Sequence, residues 1–498
     1  MAGAQPGLPT GVSEAGSRPA GLKSRLLKGG MALAVGEGVT IALRFLRSII
    51  AARLLLPADF GTAATFGLTI GFLELISDLG MDKLLVQSKA EETERLQETS
   101  QIMAAIRGLG IAAAILLLAG PVARAFHTPE ATGAYRCLAI IPLMRGLNHQ
   151  DMVRMQRGLR FWPIVKAQVW SSVIGTLLIW PLATWVGNYW AFLWLLVCDA
   201  AVMLVFSHAL SERRYRWSWC REEVRRLTHF GWPLLINGLL IFAVQQGDRI
   251  IIGTGYTMTD LGVYSVASTI AMLATGIWIK VLSTVVLPAL AKVQGEREKF
   301  ERQYRMSQEA LTLLSGLIVV VLVVMGPKII LLLYGPKYAG AVAVMGWLAV
   351  MQTMRLIRVG PLAATLAMGD SRTALITNIA RAIALPIALA AVLSGAALVW
   401  MPIAGSIGEV AALAAALVVM RRWHRMPVGA TLVPSLYYLG IAVLTGGAVM
   451  AGVPAAGLWT IIGVTIVLMG LMVSGMLAAF PDLRRSVLEV VWRRLSVT

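Results

Sequence analysis

The sequence predicts an all-α polytopic membrane protein with about fourteen transmembrane helices, arranged as two parallel six-helix lobes around a central cleft plus two extra C-terminal helices. Of its 498 residues 57% are hydrophobic and only 14% are charged, and the mean hydropathy is +0.74. Soluble domains carry about 25% charged residues. Breaking the chain at Pro, Gly and charge clusters leaves about fourteen apolar stretches, each close to the roughly 20 residues that span a bilayer.

Basic residues are unevenly distributed among the loops that join these stretches. Clusters such as Arg154, Arg157 and Arg160 recur in every second loop, whereas the alternate loops contain little beyond Arg124 and Lys337. Because Lys and Arg accumulate in cytoplasmic loops, this alternation predicts that both termini are cytoplasmic. It also accounts for the formal net charge of +18. We therefore expect membrane lipids, and no nucleic acid, among the partners.

The sequence offers little support for cofactor or enzyme chemistry. The three cysteines and five histidines occur at none of the spacings typical of metal sites or disulfide frameworks. No Gly-rich loop ends in Gly-Lys-Ser or Gly-Lys-Thr, the signature of an ATP-binding loop. The predicted outer loops are short and leave no room for an extracytoplasmic catalytic domain. We therefore expect a protein that is not an enzyme and that contains no metal or cofactor.

An internal repeat divides the chain into two halves. Pro57-Ala-Asp59-Phe-Gly61 matches Met258-Thr-Asp260-Leu-Gly262 at an offset of 201 residues, each copy following an odd-numbered span. Since the offset covers an even number of helices, the halves share one orientation and should be related by an axis along the membrane normal. We expect Asp59 and Asp260 to cap the following helices, and Gly61 and Gly262 to permit tight turns.

The repeat and the polar segments set the predicted domain boundaries. A central cleft is expected between the two lobes. The predicted segments are a disordered cytoplasmic tail (1–28), an N-lobe of helices TM1–6 (29–210), a cytoplasmic basic linker (211–228), a C-lobe of helices TM7–12 (229–420), helices TM13–14 (421–480) and an amphipathic cytoplasmic tail (481–498).

Cations within the apolar stretches are the main candidates for a binding site. A cation at the centre of a membrane helix costs about 2.5–3.5 kcal/mol, so we expect these side chains to face a polar or anionic cavity. Two pairs have the three-residue spacing that places both members on one helix face. Structural ion pairs and snorkelling to the membrane surface are the alternatives. The predicted cavity residues are Arg44, Arg47, Arg145, Lys280, Arg355, Arg358 and Arg381.

Carboxylates within the spans compete for these cations. Glu37, Glu74 and Asp78 accompany three further acids, Asp199, Asp248 and Glu409. A carboxylate that is released during a transport cycle could bind H⁺ or Na⁺, so Asp199, Asp248 and Glu409 are the candidates for ion coupling. A structural ion pair is the alternative for each of them.

Four short motifs follow one another along the chain. They are Arg47-x5-Arg53-Leu-Leu-Leu-Pro-Ala-Asp59-Phe-Gly61, Gln246-Gly-Asp248-Arg249-Ile-Ile-Ile-Gly253, Leu261-Gly262-Val-Tyr264-Ser-Val-Ala267 and Leu287-Pro288-Ala289-Leu290. Their order and spacing fit the predicted spans from about residue 30 to residue 480. In these features the chain resembles the polysaccharide flippases (Wzx-type) of the multidrug/oligosaccharidyl-lipid/polysaccharide (MOP) exporter superfamily.

The resemblance implies transport of an undecaprenyl-diphosphate-linked oligosaccharide from the cytoplasmic to the periplasmic leaflet of a bacterial inner membrane, by alternating access. It also implies polysaccharide polymerase or ligase machinery as a partner. An Asp-Arg pair of the murein-precursor branch is replaced here by Ser268 and Thr269. This departure favours a substrate of the exopolysaccharide, capsule or O-antigen type.

Two other functions stay open on the sequence alone. A multidrug or organic-cation exporter of the same superfamily would need an acidic cavity, yet the cations within the spans are at least as numerous as the carboxylates. A membrane glycosyl polymerase or ligase usually needs a sizeable outer loop, and none is predicted. Both functions are therefore less favoured than the flippase.

Overall fold

The computed structural model describes residues 19–78, 80–87, 93–482 and 484–485, and these residues form helices and loops without any strand. Three short 3₁₀-helices lie at Pro129–Ala131, Pro336–Tyr338 and Val453–Ala455. The α-helices are α1 (Pro19–Leu54), α2 (Pro57–Leu75), α3 (Met81–Gln87), α4 (Thr93–Ala125), α5 (Thr132–Cys137), α6 (Ile140–Gly146), α7 (Asp151–Arg157), α8 (Trp162–Val186), α9 (Trp190–Ala209), α10 (Arg221–Gly255), α11 (Met258–Lys292), α12 (Arg297–Val324), α13 (Gly326–Tyr334), α14 (Ala341–Ala367), α15 (Arg372–Arg381), α16 (Ala384–Leu393), α17 (Trp400–Trp423), α18 (Gly429–Met450) and α19 (Leu458–Ala479).

Among the described residues, ten helices are long and apolar enough to cross a membrane, counting α15 and α16 as one. They are α4, α8, α9, α11, α12, α14, α15 with α16, α17, α18 and α19. The first, second, fourth and seventh predicted spans, at about residues 31–54, 62–84, 132–153 and 229–253, fall on α1, α2, α5 to α7, and α10, which are more polar or are broken into short pieces. The predicted class of all-α polytopic membrane protein is confirmed, and the number fourteen stays a prediction.

Two of the predicted spans are broken by proline. The fourth span (132–153) is divided into α5 and α6 at Leu138 and Ala139, and the eleventh (about 373–394) into α15 and α16 at Ala382 and Ile383. Pro142 and Pro386 each follow the break. A helical proline donates no backbone hydrogen bond and its ring clashes with the carbonyl four residues earlier, which is the position of each break.

The helices pack as two lobes joined along α2. In the N-lobe α8 packs against α1 and α9, while α6 packs against α4 and α9. In the C-lobe α14 packs against α11, α12 and α17, and α17 packs against α15 and α16. Helices α18 and α19 lie on the surface of α12. Contacts between the lobes join α2 to α10 and to α11.

Two predicted boundaries differ from the structure. Helix α1 begins at Pro19, inside the segment predicted to be a disordered tail, because proline fits the first turn of a helix and none follows before Pro57. Helix α10 begins at Arg221, inside the predicted linker, and Glu222 and Glu223 stabilise its N-terminus. Residues 1–18 and most of the predicted C-terminal amphipathic tail lie outside the described residues.

The two glycines of the repeat bring the lobes into backbone contact. Gly61 and Gly262 lie in the first turns of α2 and α11, and a Cβ atom at either would collide with the carbonyl oxygen of Met258 or of Pro57 on the other helix. Neither glycine has a positive φ. The prediction that they permit tight turns is therefore wrong, because their role is to let two helix N-termini approach each other across the repeat axis.

The aspartates of the repeat have different partners. Asp260 forms a capping box with Thr257, in which each residue's side chain accepts a hydrogen bond from the other's backbone N–H. This confirms the predicted cap of α11. Asp59 likewise accepts from the backbone N–H of Leu56 at the start of α2, and it also accepts a hydrogen bond from the backbone N–H of Tyr189, at 3.1 Å, where α9 begins. It therefore ties α2 to α9 within the N-lobe.

Arg53 and Lys337 join the two lobes at the same end of the bundle, and we name their contacts the clasp. Arg53, at the end of α1, donates from Nε to the Leu333 carbonyl at 2.8 Å and from Nη2 to the Leu332 carbonyl, both at the end of α13. Lys337 in turn donates to the carbonyls of Arg53 and Leu55 at 2.8 and 3.0 Å. Each cation thus compensates the exposed carbonyls at the C-terminus of the other lobe's helix.

Enlarging Gly61 is expected to open this end of the bundle. Gly61→Val should cost the closed arrangement about 1–3 kcal/mol, because the added atoms overlap the α11 backbone. The matched control is Gly67→Val in the same helix, where a Cβ meets nothing within 4 Å. Spin labels on Leu54→Cys and Leu332→Cys should report a longer distance with Gly61→Val alone. Identical distance distributions for the two valine variants would contradict the role assigned to Gly61.

Candidate functional site

Charged side chains from four helices of the C-lobe meet in one cluster. Its members come from α10, α14, α15 and α17, which converge because α17 packs against both α14 and α15. We name it the arginine cluster. Its residues are Asp248, Arg249, Arg355, Arg358, Arg381 and Glu409.

Glu409 is the centre of the cluster. Its side chain is fully buried and lies within ion-pair distance of two guanidiniums, with Oε2 at 3.0 Å from Arg358 Nε and Oε1 at 2.7 Å from Arg381 Nε. Both arginine side chains are about nine-tenths buried. A carboxylate buried to this degree is stable only when it is paired. Glu409, a predicted candidate for ion coupling, is therefore held by two arginines in this conformation.

A glycine on α17 allows this pairing. A Cβ at Gly408 would lie 2.7 Å from the Arg381 carbonyl oxygen and 2.8 Å from the Ala384 Cβ. The missing side chain therefore lets the break between α15 and α16 press against α17. Because of the break, Arg381 is the last residue of α15, and its side chain contacts Glu409 on α17. Packing and chain geometry together thus fix the guanidinium on the carboxylate.

Arg355 differs from Arg358 and Arg381 because no carboxylate contacts it among the described residues. It lies one turn before Arg358 on α14 and is only partly buried. It lines two adjoining cavities, of about 50 and 220 Å³, and Arg381 also lines both. The larger cavity lies between α10, α11, α14 and α15 and has Gln245 and Asn378 as further polar residues. Arg355 is thus a cation that faces open space.

Asp248 is held by hydrogen bonds within the C-lobe. Its Oδ2 accepts from the Tyr264 hydroxyl at 2.6 Å, and its Oδ1 accepts from the backbone N–H of Arg249 at 2.8 Å. Arg249 contacts Gln246 rather than the aspartate. Of the three predicted coupling carboxylates, Asp248 is therefore the one without an ion pair within the described part of the chain.

The cluster carries excess positive charge. Four guanidiniums, those of Arg249, Arg355, Arg358 and Arg381, face two carboxylates, which gives a formal charge of +2. Arginine stays ionised when partly desolvated, and its planar fork makes two parallel hydrogen bonds to phosphate or carboxylate oxygens. The chemistry of the cluster therefore suits an anionic group of about two negative charges.

The N-lobe cations predicted for the same cavity lie elsewhere. Arg47 pairs with Asp199 at 2.8 Å, and Ser171 donates to Asp199. Gly175 makes room for this pair, since a Cβ there would lie 2.7 Å from both charged groups. Arg47 and the coupling candidate Asp199 therefore neutralise each other at the junction of α1, α8 and α9.

The remaining predicted cations are also separate from the cluster. Arg145 on α6 contacts both carboxylate oxygens of Glu74, at 2.6 and 2.7 Å. Lys280 on α11 lies 3.3 Å from Glu37 on α1, an ion pair that joins the two lobes. Arg44 is exposed and makes no ion pair with any described residue. The structure thus unites Arg355, Arg358 and Arg381, and places the other four apart from them.

Sequence reasoning missed the residues that position the cluster. Tyr264, which holds Asp248, and the glycines 175 and 408, which make room for ion pairs, carry no signal in composition or spacing. Tyr264 lies in a motif that carried the family resemblance, and this was the available signal. The glycines could have been found only by knowing which helices touch.

The fold and the cluster define a class of protein: a multi-pass membrane protein with the fold of the MOP-superfamily transporters. The inward closed conformation of the lipid II flippase MurJ superposes with a TM-score of 0.70 at 14% identity, covering 90% of this chain and 98% of that one. An inward-facing multidrug resistance MATE transporter of the MOP superfamily gives 0.61 at 15% identity, covering 80% and 95%. These likenesses establish the fold.

The chain belongs to the polysaccharide biosynthesis protein family, whose profile matches residues 50–343. Among curated proteins it is 26% identical over 314 residues to the succinoglycan biosynthesis transport protein ExoT of Rhizobium meliloti (strain 1021). That match covers 62% of this chain and 63% of ExoT, so the chain spans somewhat under two thirds of the length of this relative. The family suggested by the sequence motifs is confirmed.

Proposed function

We propose that the protein flips an undecaprenyl-diphosphate-linked oligosaccharide from the cytoplasmic to the periplasmic leaflet of a bacterial inner membrane, for the assembly of an exopolysaccharide, capsule or O-antigen. The observation that carries this proposal is the arginine cluster, in which Arg355 has no carboxylate partner among the residues described and lies beside a cavity of about 220 Å³. A lipid diphosphate carries about two negative charges, one for each phosphoryl group. Burying these charges without partners would cost many kcal/mol, and the cluster supplies the partners.

The closed end of the bundle supports a direction for the proposed transport. The clasp and the contact between Gly61 and Gly262 lie where α1 ends and α2 begins. The positive-inside rule predicts that this end is periplasmic, so the described conformation is closed on the periplasmic side. Alternating access then requires the clasp of Arg53 and Lys337 to open after the substrate has bound.

The family favours this function over organic-cation export. ExoT is named for transport in succinoglycan biosynthesis, and a cluster with a formal charge of +2 would repel a cation. The proposed partners are the lipid-linked oligosaccharide and, as the step that consumes the flipped product, polysaccharide polymerase or ligase machinery.

Reconstitution tests the proposal directly. The purified chain would be placed in proteoliposomes with a fluorescent polyprenyl-diphosphate disaccharide, and dithionite would bleach the label in the outer leaflet. We expect bleaching beyond the outer-leaflet fraction only when the protein is present. Uptake of ethidium by the same vesicles, without movement of the labelled lipid, would reverse the assignment in favour of an organic-cation exporter.

Asp248 is the proposed site of ion coupling, because its carboxylate has no ion pair with any residue that the structure describes and lines the cavity shared with Arg355. Asp248→Asn keeps an oxygen that can accept from Tyr264 but removes the charge that would bind H⁺ or Na⁺. We expect flipping by this variant to persist without responding to an imposed H⁺ or Na⁺ gradient, while Asp370→Asn, in the loop before α15, responds normally. Gradient stimulation equal to that of the wild type would exclude Asp248 as the coupling group.

A further inference from the structure

A second polar cavity, of about 280 Å³, lies within the N-lobe and takes no part in the arginine cluster. It is bounded by the ends of α2, α4, α6 and α9 that lie opposite the clasp, together with α3 and α7. We name it the N-lobe cavity. Its chemistry is set by Glu74, Asp78, Asp82, Arg107, Arg145 and Gln150.

Two residues that line this cavity carry buried hydrogen-bond acceptors without partners among the described residues. Gln150 is only 8% exposed, yet its Oε1 accepts no hydrogen bond, and the Oδ1 of Asn148 is likewise buried without a partner. Buried polar atoms in proteins are almost always paired, and leaving one unpaired is costly. Asp82 makes no ion pair or hydrogen bond with any described residue. These atoms point to a ligand that donates several hydrogen bonds.

The cavity also offers donors and has little net charge. Arg145 uses Nη1 for Glu74, and its Nε and Nη2 make no hydrogen bond within the described residues. Arg107 binds Ser77 and the Glu74 carbonyl and lies 3.6 Å from Asp78. Three carboxylates against two guanidiniums give a formal charge of −1, in contrast to the arginine cluster. The described residues contain no group of His, Cys, Asp and Glu that could hold a metal ion.

We propose that the N-lobe cavity binds a neutral sugar ring of the lipid-linked oligosaccharide. A sugar hydroxyl both donates and accepts, and so matches carboxylate and amide oxygens beside guanidinium N–H groups. The volume is at the lower end of the range for small-molecule sites, which suits one ring rather than a chain of rings. The identity of the ligand rests on the proposed function, in which the arginine cluster binds the diphosphate of the same molecule.

The slight excess of negative charge in the N-lobe cavity predicts that the cavity discriminates between neutral and acidic sugars. A uronic acid would bring its own carboxylate close to Asp78, Asp82 and Glu74, which disfavours binding by like-charge repulsion. Neutral hexoses have no such cost. The cavity therefore selects a neutral over an acidic sugar at the position of the oligosaccharide that it binds.

Ligand-detected NMR on the full chain in lipid nanodiscs tests binding without requiring transport. The probes are the methyl glycosides of glucose, galactose and mannose, with methyl glucuronide as the acidic comparison. We expect saturation transfer to the ring protons of at least one neutral glycoside, and a weaker signal from the glucuronide. Gln150→Leu should reduce the signal about fivefold, since it removes one buried acceptor. Gln156→Leu, on the adjacent α7, is the matched control and should bind like the wild type.

Two further readouts separate this inference from the proposed function. Gln150→Leu should not lower thermal stability, because Oε1 has no partner within the described part of the chain. It should slow flipping of a polyprenyl-diphosphate sugar but not of polyprenyl diphosphate alone. Sugar binding without any lipid flipping would overturn the proposed function and leave the cavity assignment supported. Equal signals from the wild type and Gln150→Leu, or no signal from any neutral glycoside, would overturn the cavity assignment.

Discussion

Replacing Arg355 with methionine should nearly abolish lipid flipping while the protein stays folded. Arg355 is the one arginine of the cluster that lines both cavities and has no carboxylate partner among the described residues. Removing one charged partner from a desolvated, hydrogen-bonded charge pair costs about 2–5 kcal/mol, which corresponds to a loss of roughly 30-fold to several thousand-fold. The initial rate of dithionite-accessible flipping in proteoliposomes measures this loss.

Stability provides the control for Arg355→Met. A partly buried cation without a carboxylate partner carries a desolvation cost, so its replacement by an apolar side chain of similar length should leave the melting temperature unchanged or raise it. Arg124→Met, at the exposed end of α4, should change neither flipping nor stability. Wild-type flipping by Arg355→Met would remove Arg355 from the site.

Replacing Glu409 with glutamine should strongly destabilise the protein. Arg358 and Arg381 would then be buried with Arg355 nearby and without the carboxylate that contacts two of them. Breaking a buried ion pair by removing one partner typically costs about 3–5 kcal/mol, because a charge is left uncompensated. Unfolding followed by fluorescence size-exclusion chromatography after heating should show a clear drop in the melting temperature.

A triple replacement distinguishes ionic from general packing effects at Glu409. When Arg358, Arg381 and Glu409 are all changed to leucine, the whole ion-paired group is removed and none of its three members is left without its partner, so stability should recover while flipping stays absent. The matched single control is Glu37→Gln, which disrupts an exposed pair with Lys280 worth less than about 1 kcal/mol. A Glu409→Gln variant as stable as Glu37→Gln would contradict the pairing described.

The sequence carried strong information on fold class and on which residues are unusual. Cations within apolar stretches must be neutralised wherever they lie, so Arg355, Arg358 and Arg381 could be selected without knowing the fold. The three-residue spacing of Arg355 and Arg358 placed both on one face of α14. Pro142 and Pro386 could have predicted the broken helices, because the clash with the carbonyl four residues earlier is local.

The pairing of charges could not be predicted, because it depends on which helices touch. Arg47 pairs with Asp199 across α1 and α9 only because Gly175 leaves space between them. Gly61 and Gly262 were expected in turns, since an isolated glycine signals a turn as readily as a close helix contact. Each of these outcomes depends on tertiary packing, which composition and residue spacing do not reveal.

Binding of a soluble prenyl diphosphate tests most directly whether the arginine cluster recognises a lipid diphosphate. The dissociation constants of farnesyl diphosphate and farnesol would be measured by isothermal titration calorimetry on the wild type and on Arg355→Met in identical nanodiscs. We predict that the wild type binds the diphosphate at least about 30-fold more tightly than the alcohol, and that Arg355→Met removes most of this preference. Equal affinity of the wild type for both compounds, or an unchanged preference in Arg355→Met, would contradict the assignment of the cluster as the diphosphate site.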